Sequence, residues 1–189
     1  SMWCRACVHR CSAALAVQEP QLGTGHAVQQ AQGALAGFDG DVLILYGDVP
    51  FVPTATMQTM IDRLNAADAP AVVVLAFEPE DPTGYGRVIV EGGRIVKMVE
   101  QKDASEAEKA VKLSNSGLMA VRAADLFALL ARVTDDNAQK EYYLTDIVNI
   151  ANADGRACVA VATDPFDVAG INSRAQLAEM EAEWQKRRR

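Results

Sequence analysis

No apolar run in these 189 residues approaches the ~20 needed to span a bilayer, so no transmembrane helix is expected. The N-terminal stretch has no uninterrupted apolar region ending in a cleavage site, which argues against a secretory signal. Basic residues are in the minority, 18 against 25 acidic ones, and the net charge of −7 offers nothing to nucleic acid or to an anionic membrane. Neither is expected as a partner. Cysteine is scarce, and three of the four sit in Cys4-Arg5-Ala6-Cys7-Val8-His9-Arg10-Cys11. Cys-x-x-Cys can grip a metal, but no second Cys or His cluster closes such a site, so reduced thiols and a cytoplasmic location are expected. Internal repeats and low-complexity tracts are missing too. The one basic run, Lys186-Arg187-Arg188-Arg189, falls at the end of an expected helix, where cations complement the dipole and stay solvated.

What is present is an ordinary globular composition, half hydrophobic and 23% charged, in a chain long enough for one domain with a sizeable core. The organising stretch is Val42-Leu43-Ile44-Leu45-Tyr46-Gly47-Asp48-Val49-Pro50. Four apolar residues bounded by turn formers read as a strand buried on both faces, as in a parallel sheet. Gly47 permits close backbone approach, and Asp48 stands where open α/β sheets bind ligands, a place for a hard cation beside phosphate. A plain Asp-Val-Pro turn is the other reading of the same string.

Upstream, Gln18-Glu19-Pro20-Gln21-Leu22-Gly23-Thr24-Gly25-His26 is a loop, with Thr24 as expected N-cap of a helix through Leu35. Free amides at such a loop can hold an anion or a polar ring edge, and Gln18 and Gln21 each offer a donor and an acceptor to a base such as uracil. Helices are expected over Thr54 to Ala66, Ser105 to Val111 and Ala123 to Ala131, then one that Glu141 to Asp146 lead into, running through Ile150 and ended by Gly155, and one from Ser173 onward. Strands are expected over Ala71 to Phe77, Val88 to Val90, Ile95 to Glu100, Leu118 to Val121 (entered from Leu113 through Asn115-Ser116-Gly117) and Ala157 to Ala162. Gly92-Gly93 marks a hairpin. Asn115-Ser116-Gly117 reads either as turn chemistry or as an amide for sugar hydroxyls or an acetamido group. Asn172 reads either as a helix-start residue or as a second ligand for the ion of Asp48. Strands alternating with helices make the class α/β, with a β-hairpin excursion.

Seven strings then occur in one order: Gln18-x-x-Gln21-Leu22-Gly23-Thr24-Gly25-His26-Ala27, Leu45-Tyr46-Gly47-Asp48-Val49-Pro50, Asp81-Pro82-Thr83-Gly84-Tyr85-Gly86-Arg87, Val99-Glu100-x-Lys102-Asp103-Ala104, Asn115-x-Gly117, Glu141-Tyr142-Tyr143-x-Thr145-Asp146 and Gly170-x-Asn172-x-Arg174. Together they resemble the uridylyltransferase domain of the bacterial bifunctional N-acetylglucosamine-1-phosphate uridylyltransferase/glucosamine-1-phosphate acetyltransferases. The resemblance implies a Rossmann-like nucleotidyltransferase sheet of the nucleotide-diphospho-sugar transferase type, with residues 1–13 unassigned and 14–189 forming a partial domain. It implies synthesis of UDP-N-acetylglucosamine and pyrophosphate from UTP and N-acetylglucosamine-1-phosphate, a step of cell wall and lipopolysaccharide precursor supply. Gln18, Gln21, Gly23 and Thr24 would hold uracil. Tyr46, Gly47 and Asp48 would line ribose, phosphate and metal. Gly86, Glu100 and Asn115 would bind the N-acetylglucosamine moiety with Tyr143 and Thr145 nearby, and Asp48 and Asn172 would coordinate Mg²⁺. The family's first strand, its Leu-x-x-Gly-x-Gly-Thr-x-Met-type loop and the lysine that follows have no match here, so the sheet is expected to be incomplete at its N-terminal part. Two other readings follow from that departure: a UDP-sugar-binding unit without turnover, and a self-associating fragment joined through an open sheet edge.

Overall fold

The computed structural model describes residues 13–187; the readings of Cys4, Cys7 and Cys11 lie outside them. Two strands form the centre. β2 (Val72–Phe77) is buried along its whole length, pairing antiparallel with β5 (Ser114–Arg122) and parallel with β6 (Cys158–Ala162). Period-two alternation sends Val72, Val74 and Ala76 to one core and Val73, Leu75 and Phe77 to the other, so the continuous apolar run reports a sheet covered on both faces.

The first core is closed by α4 (Ala123–Leu130), through Leu126, Leu129 and Leu130, and by α5 (Asp146–Ala153), through Ile147, Val148 and Ala151. The second is closed by α2 (Thr54–Leu64), through Met60 and Leu64, with Val168 of a short 3₁₀ turn. The remaining elements in chain order are α1 (Thr24–Gln29), β1 (Asp41–Ile44), β3 (Arg87–Glu91), β4 (Arg94–Val99), α3 (Glu106–Lys109) and α6 (Arg174–Arg187). The six strands make one mixed sheet in the order β4-β3-β5-β2-β6, with β1 also against β5. None of the described helices is long and apolar enough to cross a membrane.

The hairpin stands as expected: Gly92 and Gly93 both take positive φ, 56° and 78°, as a primed two-residue turn requires. The free edge of β4 is occupied by side chains of α5. Asn149 accepts from the Met98 N–H and donates to the Met98 carbonyl, and Asn152 donates to the Ile95 carbonyl. α3 is short and opens with a capping box between Ser105 and Glu108.

Three local expectations are corrected. The Val42–Leu45 strand is β1, and it is antiparallel to β5, half-exposed rather than buried on both faces, because β5 is its one sheet partner among the described residues. Thr24 is not an N-cap. Gly23 holds that position, and the Thr24 hydroxyl instead accepts the Leu144 N–H at 3.0 Å. The helix that it opens stops at Gln29, and the chain continues as turns through Gly33 to Gly37.

Candidate functional site

Antiparallel pairing puts the start of β5 beside the carboxyl ends of β1, β2 and β6. A cleft of about 370 Å³ opens there. One wall is a clasp between the glycine-rich loop and the segment before α5. The Gly25 N–H donates to the Tyr142 carbonyl and the Tyr142 N–H to the Leu22 carbonyl, both at 2.8 Å. A Cβ on Gly23 would lie 2.8 Å from the Tyr142 carbonyl oxygen, and one on Gly25 2.9 Å from it, so the approach demands glycine at both places. This clasp sets Thr24 against Glu141, Tyr143 and Thr145 on the cleft surface.

The floor is Tyr46 over Gly117. The ring lies where a Cβ on Gly117 would be, 2.4 Å from Tyr46 Cε2. Burial pushes the phenol above its ordinary range, opposed by a hydrogen bond with Thr24 and reinforced by Glu100 and Asp48. Asn115 performs the turn chemistry its pattern suggested, its side-chain oxygen accepting the Gly117 N–H at 2.9 Å, and the residue also lines the cleft.

Glu100 follows β4 and accepts from the Thr145 hydroxyl at 3.1 Å. A Cβ on Gly86 would come within 3.1 Å of the Glu100 carboxylate, so backbone and acid are in close apposition. Burial raises the Glu100 carboxyl above the usual range; Thr145 opposes this, and the neighbouring Asp146 and Asp103 add to it. A carboxyl raised on folding favours the protonated native form. Its share of stability is therefore present at low pH and is lost as pH climbs from the ordinary glutamate value through the raised one. Glu100→Gln is expected to raise the Tm at pH 7 and to flatten the pH dependence in that acidic window. A variant less stable than the parent at pH 7 would contradict it.

At the far rim, the Ile171 N–H donates to the Asp48 main-chain carbonyl at 2.8 Å, bringing two loops together. Asp48 Oδ2 and Asn172 Nδ2 both lie within 4 Å of the Cβ position of Gly170. One carboxylate and one carboxamide form a sparse set of hard donors, the kind that suits a cation which keeps waters and takes phosphate oxygens as well. No cluster of three or more His, Cys, Asp or Glu able to hold a metal occurs among the described residues.

The cleft thus gathers Thr24, Tyr46, Asp48, Gly86, Glu100, Asn115, Tyr143, Thr145 and Asn172. Gln18, Gln21, Gly23 and Gly47 do not line it. The Gln18 amide is turned inward, donating to the Gly23 carbonyl at 2.9 Å and meeting His26 Nδ1 at 3.2 Å. Gln21 and Gly47 are exposed. Other cleft residues were given no role in the sequence reading. Gln139, and Glu141 at the head of a quoted motif, come from a loop tied down by Asp103, which accepts the Ala138 N–H. Gln176, one turn into α6, accepts the Asn172 N–H at 2.8 Å. Isolated glutamines carry no pattern, whereas Asp103 stood within a motif and was a usable signal.

A sequence profile of the family described as nucleotidyl transferase matches residues 5–182. The chain is 76% identical over 178 residues to the bifunctional protein GlmU of Sphingopyxis alaskensis and 71% identical over 179 residues to that of Novosphingobium aromaticivorans. Each alignment covers 94% of this chain but 40% of the relative, so the chain spans well under half the length of the curated proteins it matches. Among solved structures, apo UDP-glucose pyrophosphorylase superposes with a TM-score of 0.66 at 20% identity, over 98% of this chain and 68% of that one. UDP-glucose pyrophosphorylase complexed with UDP-glucose gives 0.62 at 19% identity, over 90% and 64%. The sheet with its hairpin excursion is the nucleotidyltransferase fold, and this chain belongs to the nucleotidyl transferase family.

Proposed function

We propose that the cleft binds the uridine diphosphate sugar of a uridylyltransferase reaction, in which UTP and N-acetylglucosamine-1-phosphate yield UDP-N-acetylglucosamine and pyrophosphate. On this reading residues 14–189 are the nucleotidyltransferase part of the chain. The observation that supports it best is the continuity of two chemistries in one cleft. Glu100, Thr145, Asn115 and the Gly86 backbone form a compact polar group suited to hydroxyls and an acetamido group. Asp48 and Asn172 form the hard-donor pair beyond it.

The reaction joins an oxygen of the sugar phosphate to the α-phosphorus of UTP, with pyrophosphate as leaving group. It needs no covalent nucleophile, only anions held in line and developing charge neutralised. Glu100 accepts from sugar hydroxyls, and Asn115 fixes the sugar's orientation. Tyr46 packs against the ribose and Thr24 faces the nucleotide end. Asp48 and Asn172 are the residues that would hold a divalent cation, Mg²⁺ on this reading, which when bound neutralises phosphate charge. Gln18 and Gln21 read uracil only if the loop before α1 turns its amides toward the cleft.

The sequence contains no Leu-x-x-Gly-x-Gly-Thr string, so the decisive experiment reads binding rather than turnover. Calorimetric titration with UDP-N-acetylglucosamine, with and without Mg²⁺, is expected to show saturable binding that tightens with the metal and exceeds that of UDP-glucose. Absence of binding in both conditions would overturn the reading.

A further inference from the structure

Arg87 carries a cation in the interior. It is 2% exposed, the largest of the fully buried side chains, and among the described residues no carboxylate hydrogen-bonds it. Its Nη1 donates to the Tyr85 carbonyl, while Nε and Nη2 both reach the Lys109 carbonyl at the end of α3, at 3.4 Å. Asp81, held below the usual carboxylate range chiefly by Thr83, feels the guanidinium only through space. Burying a charge is costly unless its hydrogen bonds are met, and here they are met by main-chain oxygens alone. The side chain lies outside the cleft, yet of the two groups that it holds, Tyr85 and Lys109, the first leads there.

Tyr85 and Gly86 both line the cleft. The turn that carries them is also held by the Thr83 N–H to the Asp81 carboxylate at 2.9 Å, by the Tyr85 N–H to the Pro82 carbonyl at 3.2 Å and by the Tyr85 ring at right angles to Phe77, 4.9 Å between centroids. From Gly86 the connection runs straight into the sugar-facing group. Its carbonyl accepts the Asn115 N–H at 2.9 Å, and its α-carbon faces the Glu100 carboxylate closely enough that a Cβ would stand 3.1 Å away.

We infer that Arg87 is a positioning residue for the sugar half of the ligand: its buried guanidinium locks the Tyr85–Gly86 turn to α3, and so holds Gly86, Glu100 and Asn115 in the shape that accepts the hexose. The choice of arginine follows from geometry. A planar fork reaches two carbonyls lying in different directions, whereas a lysine ammonium is one point on a flexible stem. The inference rests on the functional reading above, because it takes the Gly86 side of the cleft to be the sugar side.

The test compares UDP-N-acetylglucosamine with UDP, by calorimetry, for the parent, Arg87→Met and Arg87→Lys, with thermal unfolding as a companion measurement. Both variants are expected to lose about tenfold in affinity for the sugar nucleotide, the scale of one charge-assisted contact, while their affinity for UDP stays within about twofold. Arg87→Lys keeps the charge and most of the stem, and it decides the matter if Arg87→Met does not fold. Equal losses for both ligands would make Arg87 merely structural and overturn the inference, as would unchanged selectivity. If the parent binds neither ligand, the functional reading falls and this inference with it. If the parent binds both and the variants match it, this inference alone is lost.

Discussion

Gly117→Ala is expected to destabilise the protein and to disable the cleft together. At φ +86° an L side chain is strained, at about 1–3 kcal/mol for the backbone alone. The new methyl would also lie 2.4 Å from Tyr46 Cε2 and 2.8 Å from Cζ, inside contact distance, so the ring must leave its seat. Tyr46 is partly buried, packs against the first core and forms the floor on which the nucleotide is to rest. For a chain of this size each kcal/mol lowers Tm by about 2–4 °C, so calorimetry resolves the first effect and ligand titration the second. Gly93→Ala is the control. It carries a similar backbone strain, φ +78°, but nothing lies within 4 Å of the added Cβ and the hairpin turn is remote from the cleft. Gly93→Ala should therefore lose stability and keep ligand affinity, and Gly117→Ala should lose both. Equal affinities in the two variants would show that the Tyr46 seat does not matter for binding.

Asp48→Ala is expected to remove the metal response of ligand binding while leaving the fold intact. The tie between the Asp48 and Ile171 loops uses the main-chain carbonyl of Asp48, which alanine keeps, and the side chain is exposed, so no core contact is lost. What disappears is the one charged donor of the Asp48–Asn172 pair. Loss of a carboxylate from so sparse a set is expected to weaken Mn²⁺ binding, followed by paramagnetic relaxation, by about tenfold or more. Asn172→Ala, which removes a neutral oxygen, should weaken it less. An unchanged Mg²⁺ response in Asp48→Ala would remove the pair from the metal role.

The elements that were easiest to read from the chain are those whose pattern is local. The Gly92-Gly93 turn and the six-residue apolar run of β2 each announce themselves within a few residues. β1 misled because four apolar residues look alike whether a strand is central or lateral, and neighbours on either side are a property of the assembled sheet. Thr24 misled for a related reason: its hydroxyl has a partner 120 residues away in the sequence, Leu144, which outbids the local amides. Among cleft residues, glycines and acids within motifs were visible. Gln139 and Gln176 were not, and Arg87, outside the cleft, stood in a motif without revealing its role, because what these residues do depends on contacts 22 or more residues distant or on a turn formed only after packing.

The asparagines that occupy the edge of β4 have a mechanical consequence. Thr145, Asn149 and Asn152 descend one face of α5 and its lead-in, and they hold Glu100, Met98 and Ile95 in turn. Hairpin and helix are laced at three points along their length, so neither can slide or tilt without the other. The helix is itself anchored in the first core through Ile147, Val148 and Ala151, so Glu100 stands at the end of a stiffened unit, held toward the cleft.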